Sequence, residues 1–144
     1  MRNMDLPHTS LDCNCFALRQ AARYVTQLYE RHLAPLGMTS AQYTLLAKLA
    51  RRPGFTMLEL AEEMVMDRTS VIRALKPLQR DGYIVSEPSA HDSRAHAFRL
   101  TPDGEQLLGR ARAAWRSAQD EFEQQFGSER ARALRGELHS LTGV

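Results

Sequence analysis

Along most of the chain apolar residues return at alternating steps of three and four, the mark of helices with one buried face. Over residues 12–33 the stripe is Leu18, Ala22, Val25 and Tyr29, with Ala21 and Leu28 beside it, and it stops at Pro35-Leu36-Gly37. Thr39-Ser40-Ala41-Gln42 is a capping box, in which Thr39 accepts from the backbone at Gln42 and the Gln42 side chain reaches back. It opens a second helix with Tyr43, Leu46, Leu49 and Ala50 expected inward, ended by Arg51-Arg52-Pro53-Gly54. A further capping box, Thr56-Met57-Leu58-Glu59, opens a short helix through Met64. After a tight step at Val65 and Met66, Asp67 caps a fourth helix that should close near Gly82, whose missing Cβ suits a reversal.

The rhythm then changes. Residues 83–87 and 96–100 are strand-like and the polar run 88–94 separates them, which predicts a β-hairpin. Thr101-Pro102-Asp103 is a helix start, a cap followed by proline at the first helical position and an acid at the positive helix end. The long helix it opens carries Leu108, Ala111, Trp115, Ala118 and Phe122 in a three-four rhythm, and Ser128 opens a last helix with Leu134, Leu138 and Leu141 on one side. The expected fold class is mainly α with a small β-hairpin wing, in the order α-α-α-α-β-β-α-α.

At 144 residues, with 43% hydrophobic and 25% charged, the chain is one globular domain able to bury a core. The formal net charge is only +2, so a partner drawn by charge must meet a local patch. No apolar run approaches bilayer length and the start MRNMDLPHTSLD lacks a secretory apolar stretch, so no membrane partner and a cytoplasmic location are expected.

The patch lies in MDRTSVIRALKPLQRDGYI, residues 66–84. At about 100° per residue, Val71, Ala74, Leu75 and Leu78 form a packing face. Thr69, Arg73, Lys76 and Arg80 fall within roughly 60° of one another on the far side, with no acid among them and Ile72 and Pro77 flanking. Such a face alone could simply meet water, but a short helix, a tight turn and a second helix with a basic outer face point to a helix-turn-helix whose second helix is expected to enter the DNA major groove. There Arg can fork to guanine O6 and N7, and Thr can meet a base or a thymine methyl. Pro77 removes one hydrogen bond and should bend the axis beyond the base-reading half. The hairpin loop HDSRAH would place Arg94 as a wing arginine in the adjacent minor groove, oriented by a salt bridge from Asp92.

These residues carry a resemblance. MDRTSVIRALKPLQRDGYI followed by HDSRAHAFRLTPDG resembles the winged helix-turn-helix core of the MarR family of bacterial transcription regulators, most specifically in the D-R-x-S start of the recognition helix, the D-x-R wing and the L-T-x-x-G start of the fifth helix. The resemblance implies a homodimer with intertwined terminal helices on a near-palindromic operator in double-stranded DNA, acting as a repressor released by a small-molecule effector. It also implies that Arg68, Thr69, Ser70 and Arg73 are groove residues and Arg94 the minor-groove arginine; Lys76 is assigned to phosphate. One domain would span 1–144, with a DNA-binding lobe at 38–101 and a helical dimerisation lobe at 10–36 plus 102–144. The apolar terminal helices point to the dimer independently, since Leu108, Trp115 and Phe122 exceed what a compact winged core would cover.

Family regulators hold an aromatic or carboxylate-bearing effector between the dimer helices and the DNA-reading lobe. Candidate lining residues here are Phe16, Arg19, Tyr29, Tyr43 and Trp115, with Arg19 able to pair a carboxylate. The stretch LDCNCFALRQAARYVTQLYERHL is similar to the first helix of the organic-hydroperoxide-sensing branch, in which a cysteine just before Phe is the reactive thiol. Cys15 stands at that position and Tyr29 matches one of the tyrosines that hydrogen-bond it, whereas Arg19 and Ser40 replace two others. Cys15 is therefore the redox candidate, and a thiol-based oxidation sensor is the alternative to a ligand-released repressor. Cys13-x-Cys15 with His8 and Asp12 is a weak metal pattern: extended, the two thiols could point one way, and helical they diverge by about 200°, while tetrahedral zinc needs four ligands; no metal and no cofactor are expected. No nucleophile elbow, metalloprotease spacing, G-x-G-x-x-G or P-loop is present, so no enzyme is expected. A winged-helix interaction module that does not touch DNA is the remaining alternative.

Overall fold

The computed structural model describes residues 12–144. Its elements are α1 (Asn14–Leu33), a 3-10 turn (Ala34–Leu36), α2 (Ser40–Arg51), β1 (Phe55–Thr56), α3 (Met57–Met64), α4 (Arg68–Arg80), β2 (Ile84–Pro88), β3 (His96–Leu100), α5 (Pro102–Phe126) and α6 (Ser128–Thr142). The expected helices and hairpin are present. The short strand β1 and the 3-10 turn are additions.

Local capping chemistry sets most of the boundaries. Both capping boxes form with both hydrogen bonds, Thr39 with Gln42 and Thr56 with Glu59. Asp67 caps α4 through Ser70 N at 3.1 Å, and Thr101 caps α5 through Gly104 N at 3.1 Å. Val65 ends α3 at φ 50°, left-handed and costly for a β-branched side chain, which makes the turn between α3 and α4 short. Gly82, at φ 79°, closes the turn after α4.

β3 is the centre of a three-stranded antiparallel sheet of order β1-β3-β2. β1 pairs Phe55 with Phe98, and the hairpin pairs Ile84 with Leu100 through Pro88 with His96. One apolar core lies under α2, α3, α4 and the sheet, built on Leu45, Leu46, Leu60, Val71, Leu75 and Phe98. The first turns of α5 close it with Leu107, Leu108 and Ala111. Leu108 is therefore only 2% exposed within one chain, and the expectation that it needs a partner surface is corrected: the winged core already covers it. Ala50, expected inward, is exposed, and the third buried leucine of α2 is Leu45.

The far half of α5 packs on α1. Tyr24 bonds Gln125, Tyr29 bonds Gln119 and His32 bonds Glu121, so the two helices run antiparallel. α6 folds back on them but buries only Ala131. Its Leu134 and Leu138 are each 38% exposed and Leu141 70%, and Leu18 on α1 is 46% exposed. These are the apolar faces the single chain leaves uncovered.

Candidate nucleic-acid interface

α4 buries Val71, Leu75 and Leu78 and turns its other side outward, where Arg68, Thr69, Arg73, Lys76 and Arg80 are exposed. The ridge is not uniform. Arg80 reaches across to Asp81 at 3.1 Å, and that pairing holds its guanidinium more firmly protonated. Arg68, Arg73 and Lys76 form no ion pair among the described residues, and the Thr69 hydroxyl has no hydrogen-bond partner there. Three cations and one hydroxyl on this side thus have no such partner among the described residues. Ser70 is differently placed: it is half-buried and its hydroxyl donates to Asp67 at 2.5 Å. Its first task is to hold the cap. Those hydrogen bonds, from the Ser70 side chain and then its backbone, hold the Asp67 carboxyl below the usual carboxylate range. Pro77 sits inside α4, which runs on through it to Arg80.

The wing stands beside this helix. Its loop is tied internally by Ser89 N to Ala95 O at 2.8 Å and Ala95 N to Asp92 O at 3.0 Å. Buried Ser89 also accepts from His91 N at 3.2 Å. Asp92 does not pair with the Arg94 guanidinium. It accepts from the Arg94 backbone N–H at 2.9 Å instead, because two residues apart in a tight turn the amide is the nearer donor. The wing guanidinium is thus exposed and without an ion pair among the described residues. Between wing and helix runs an open cleft of about 700 Å³, lined by Arg68, Ile72 and Gln79 on one side and His91, Arg94 and His96 on the other. Ile72 and the two histidines were not singled out as site residues from the sequence. The available signal was an isoleucine among cations on a helix face.

A protruding helix with an exposed basic ridge and a loop carrying Arg94 flank a cleft that Glu59 and Asp92 also line. That is the geometry of a winged helix-turn-helix on a duplex. Comparison with known proteins agrees. Residues 36–95 match the MarR family model. The chain is 33% identical over 126 residues to the transcriptional regulatory protein for the hcr operon of Thauera aromatica, covering 87% of this chain and 69% of that one. The chain belongs to the MarR family. Among solved MarR-like structures, the M. tuberculosis transcriptional regulator MosR in complex with DNA superposes with a TM-score of 0.79 at 33% identity, over 91% of this chain and 94% of that one. The transcriptional repressor CouR bound to a 23-mer DNA duplex superposes with a TM-score of 0.82 at 27% identity, over 95% of this chain and 98% of that one. The chain is accordingly a MarR-family DNA-binding transcription regulator with the family's mainly helical winged fold, and the family is one of regulators rather than enzymes.

Of the candidate effector residues of this MarR-family chain, the single chain places only Tyr29 in the cleft between α1, α5 and α6. Tyr43 and Trp115 stack, with ring centroids 6.0 Å apart and planes 12° from parallel, joining α2 to α5. Tyr29 lies elsewhere, in a cleft of about 450 Å³ between α1, α5 and α6 that Leu18, Phe122, Leu134, Leu138, Gln119 and Arg135 also line. Burial, and then the nearby Glu123 carboxylate, push the Tyr29 phenol above its ordinary value, against the pull of Arg135. Phe16 and Arg19 are exposed near the start of α1, and Phe16 lies about 20 Å along the helix from Tyr29. Gln119 and Arg135 were missed because a polar residue inside an apolar stripe is indistinguishable by sequence from one facing water.

Cys13 is the cap of α1, its Sγ accepting from Phe16 N at 3.4 Å, and Cys15 lies in the first turn; both are exposed. Tyr29 is about 21 Å up the same helix from Cys15 and donates its hydroxyl to Gln119. His8 lies outside the described residues, and among the described residues no three His, Cys, Asp or Glu side chains gather as metal ligands. Among the described residues no helix is long and apolar enough to cross a membrane.

Proposed function

We propose that this regulator is a homodimeric repressor of a near-palindromic operator, released when a small apolar molecule with a polar or carboxylate end binds beside its dimer helices. The observation that carries the DNA reading is the exposed set Arg68, Thr69, Arg73 and Lys76 on the outward side of α4, with the exposed Arg94 guanidinium across the cleft, none of them in an ion pair among the described residues. Arg68, Thr69 and Arg73 address the major groove, Lys76 addresses phosphate, and Arg94 addresses the narrow groove flanking the site. Residues 38–101 serve as the DNA-binding lobe, and 10–36 with 102–144 as the dimerisation lobe.

The dimer is supported by the exposed leucines of α6 and the apolar side of α1, which a second copy would cover through a symmetric contact. A two-fold pair sets two α4 helices roughly 34 Å apart, one turn of duplex. The cleft holding Tyr29, Gln119 and Arg135 opens onto this same face, so a ligand there alters how the two copies sit. It shifts DNA binding only through different affinities for the DNA-competent and incompetent arrangements. The test pairs sizing chromatography with a gel shift on the protein's own upstream DNA. Arg73→Ala should remain dimeric and lose specific binding; full binding by the variant, or a strictly monomeric wild type, refutes the reading.

A second reading is favoured by the exposure of both cysteines at the start of α1. An organic hydroperoxide would pass one oxygen to the Cys15 sulfur, giving a sulfenic acid and the corresponding alcohol. Release from DNA by cumene hydroperoxide that is reversed by reductant and abolished in Cys15→Ser would support it. Unchanged binding under peroxide would leave the ligand-released repressor.

A further inference from the structure

We propose that Ile72 is a specificity-determining residue that reads the C5-methyl group of thymine in the major groove; this rests on the DNA reading above. Ile72 is the fifth residue of α4, about 6 Å from its N-terminal end and within the half of the helix that carries Thr69 and Arg73. The other large aliphatic side chains of α4, Val71, Leu75 and Leu78, are at most 4% exposed, whereas Ile72 is 40% exposed. On the helix wheel it lies between Arg68 and Lys76, about 40° from each, flanking the ridge of Thr69, Arg73, Lys76 and Arg80. It also lines the cleft toward the wing.

An isoleucine so placed shares its cleft with Met57 and Leu58 of α3 and stands next to Arg68, a cation suited to a polyanion. On the major-groove edge of a duplex the thymine methyl is the one apolar group, and no other base carries it. A β-branched side chain held on a helix has essentially one χ1 rotamer, so its methyls are positioned before DNA arrives. Thr69, three residues earlier on the same row, offers a second methyl, and Arg73 beside them offers the fork for guanine. The three together describe a half-site in which a thymine adjoins a guanine-containing pair. Apolar contact with the methyl distinguishes thymine from cytosine at that position.

The probe is a duplex enriched from random-sequence DNA by the full-length protein, with each thymine replaced in turn by deoxyuridine, which removes only the methyl. Wild type should lose affinity by about fourfold at one thymine per half-site, the scale of one buried methyl. Ile72→Ala should bind the unmodified duplex more weakly and show less than about twofold sensitivity at that thymine, and Ile72→Val should fall between. Because the side chain is exposed, circular dichroism and sizing should find both variants folded as wild type. Methyl sensitivity that persists in Ile72→Ala, or no sensitivity at any thymine in wild type, overturns the assignment while leaving Arg73-dependent binding intact. Failure of the selection to enrich any sequence would overturn both the DNA reading and the assignment.

Discussion

Gly104 is the place where one added methyl group should do most damage. It sits in the first turn of α5, and an ideal Cβ built there would lie 2.0 Å from the carbonyl oxygen of Tyr83 and 3.0 Å from its carbon. That oxygen would have to retreat by about 1 Å to reach even 3.0 Å, a separation tighter than most real Cβ contacts. The same carbonyl accepts from Thr101 N at 3.0 Å, and the Thr101 hydroxyl donates to Gly82 O at 2.6 Å. The clash therefore falls on the seam that joins the wing to α5. Forced overpacking costs about 1–3 kcal/mol, and loosening the hydrogen bond costs about 1 kcal/mol more. Alanine in place of glycine in a helix returns up to about 1 kcal/mol. Gly109 supplies the control: it lies in the same helix, and a Cβ there meets nothing within 4 Å. Propensity largely cancels between Gly104→Ala and Gly109→Ala, so their difference, about 2–4 kcal/mol, isolates the clash. Urea unfolding followed by far-ultraviolet circular dichroism, at one fixed protein concentration because association shifts the midpoint, measures it. Thermal midpoints should separate by on the order of 10 °C. Equal stability of the two variants would refute the close approach, and with it the account of why a glycine follows Leu100-Thr101-Pro102-Asp103.

Lys76→Ala should weaken DNA binding across specific and non-specific sequences alike and reduce the slope of log K against log salt by about 1, measured by fluorescence anisotropy over a salt series. A loss confined to the specific duplex would instead move Lys76 to a base edge. Tyr29 predicts an alkaline effect. Its folded-state phenol is raised above 10.0, first by burial, so the stability it contributes is complete below the unfolded value and lost as pH rises through the folded one. Tyr29→Phe should therefore show a shallower stability decline than wild type from about pH 10 upward in thermal melts; an identical decline would remove Tyr29 as its source.

Much of the architecture was legible because it rests on contacts between residues three or four apart. The caps at Thr39, Thr56, Asp67 and Thr101 each join a side chain to a backbone amide three positions on. Such bonds leave their signature in a short stretch of chain. The hairpin was legible for a similar reason, its two strands being separated by a polar loop. β1 was not, since two residues are too short for alternation and their partners on β3 lie some 40 positions away. The Asp92 expectation failed on orientation: spacing put an acid near Arg94 but could not say whether backbone or guanidinium would take it.

The cationic side of α4 followed from residue identities and helical period alone, because 100° per residue fixes which side chains share a face whatever surrounds them. That Arg68, Arg73 and Lys76 form no ion pair among the described residues depended on the fold, whereas Arg80 pairs with Asp81, its neighbour in the chain. The same division holds in the terminal helices. Their apolar stripes are written in the chain, yet Leu108 is sealed under the winged core and Leu134 and Leu138 are left outside. Periodicity identifies a face that prefers to leave water. Only the packing of distant elements in three dimensions determines whether the same chain covers that face or leaves it for a second copy.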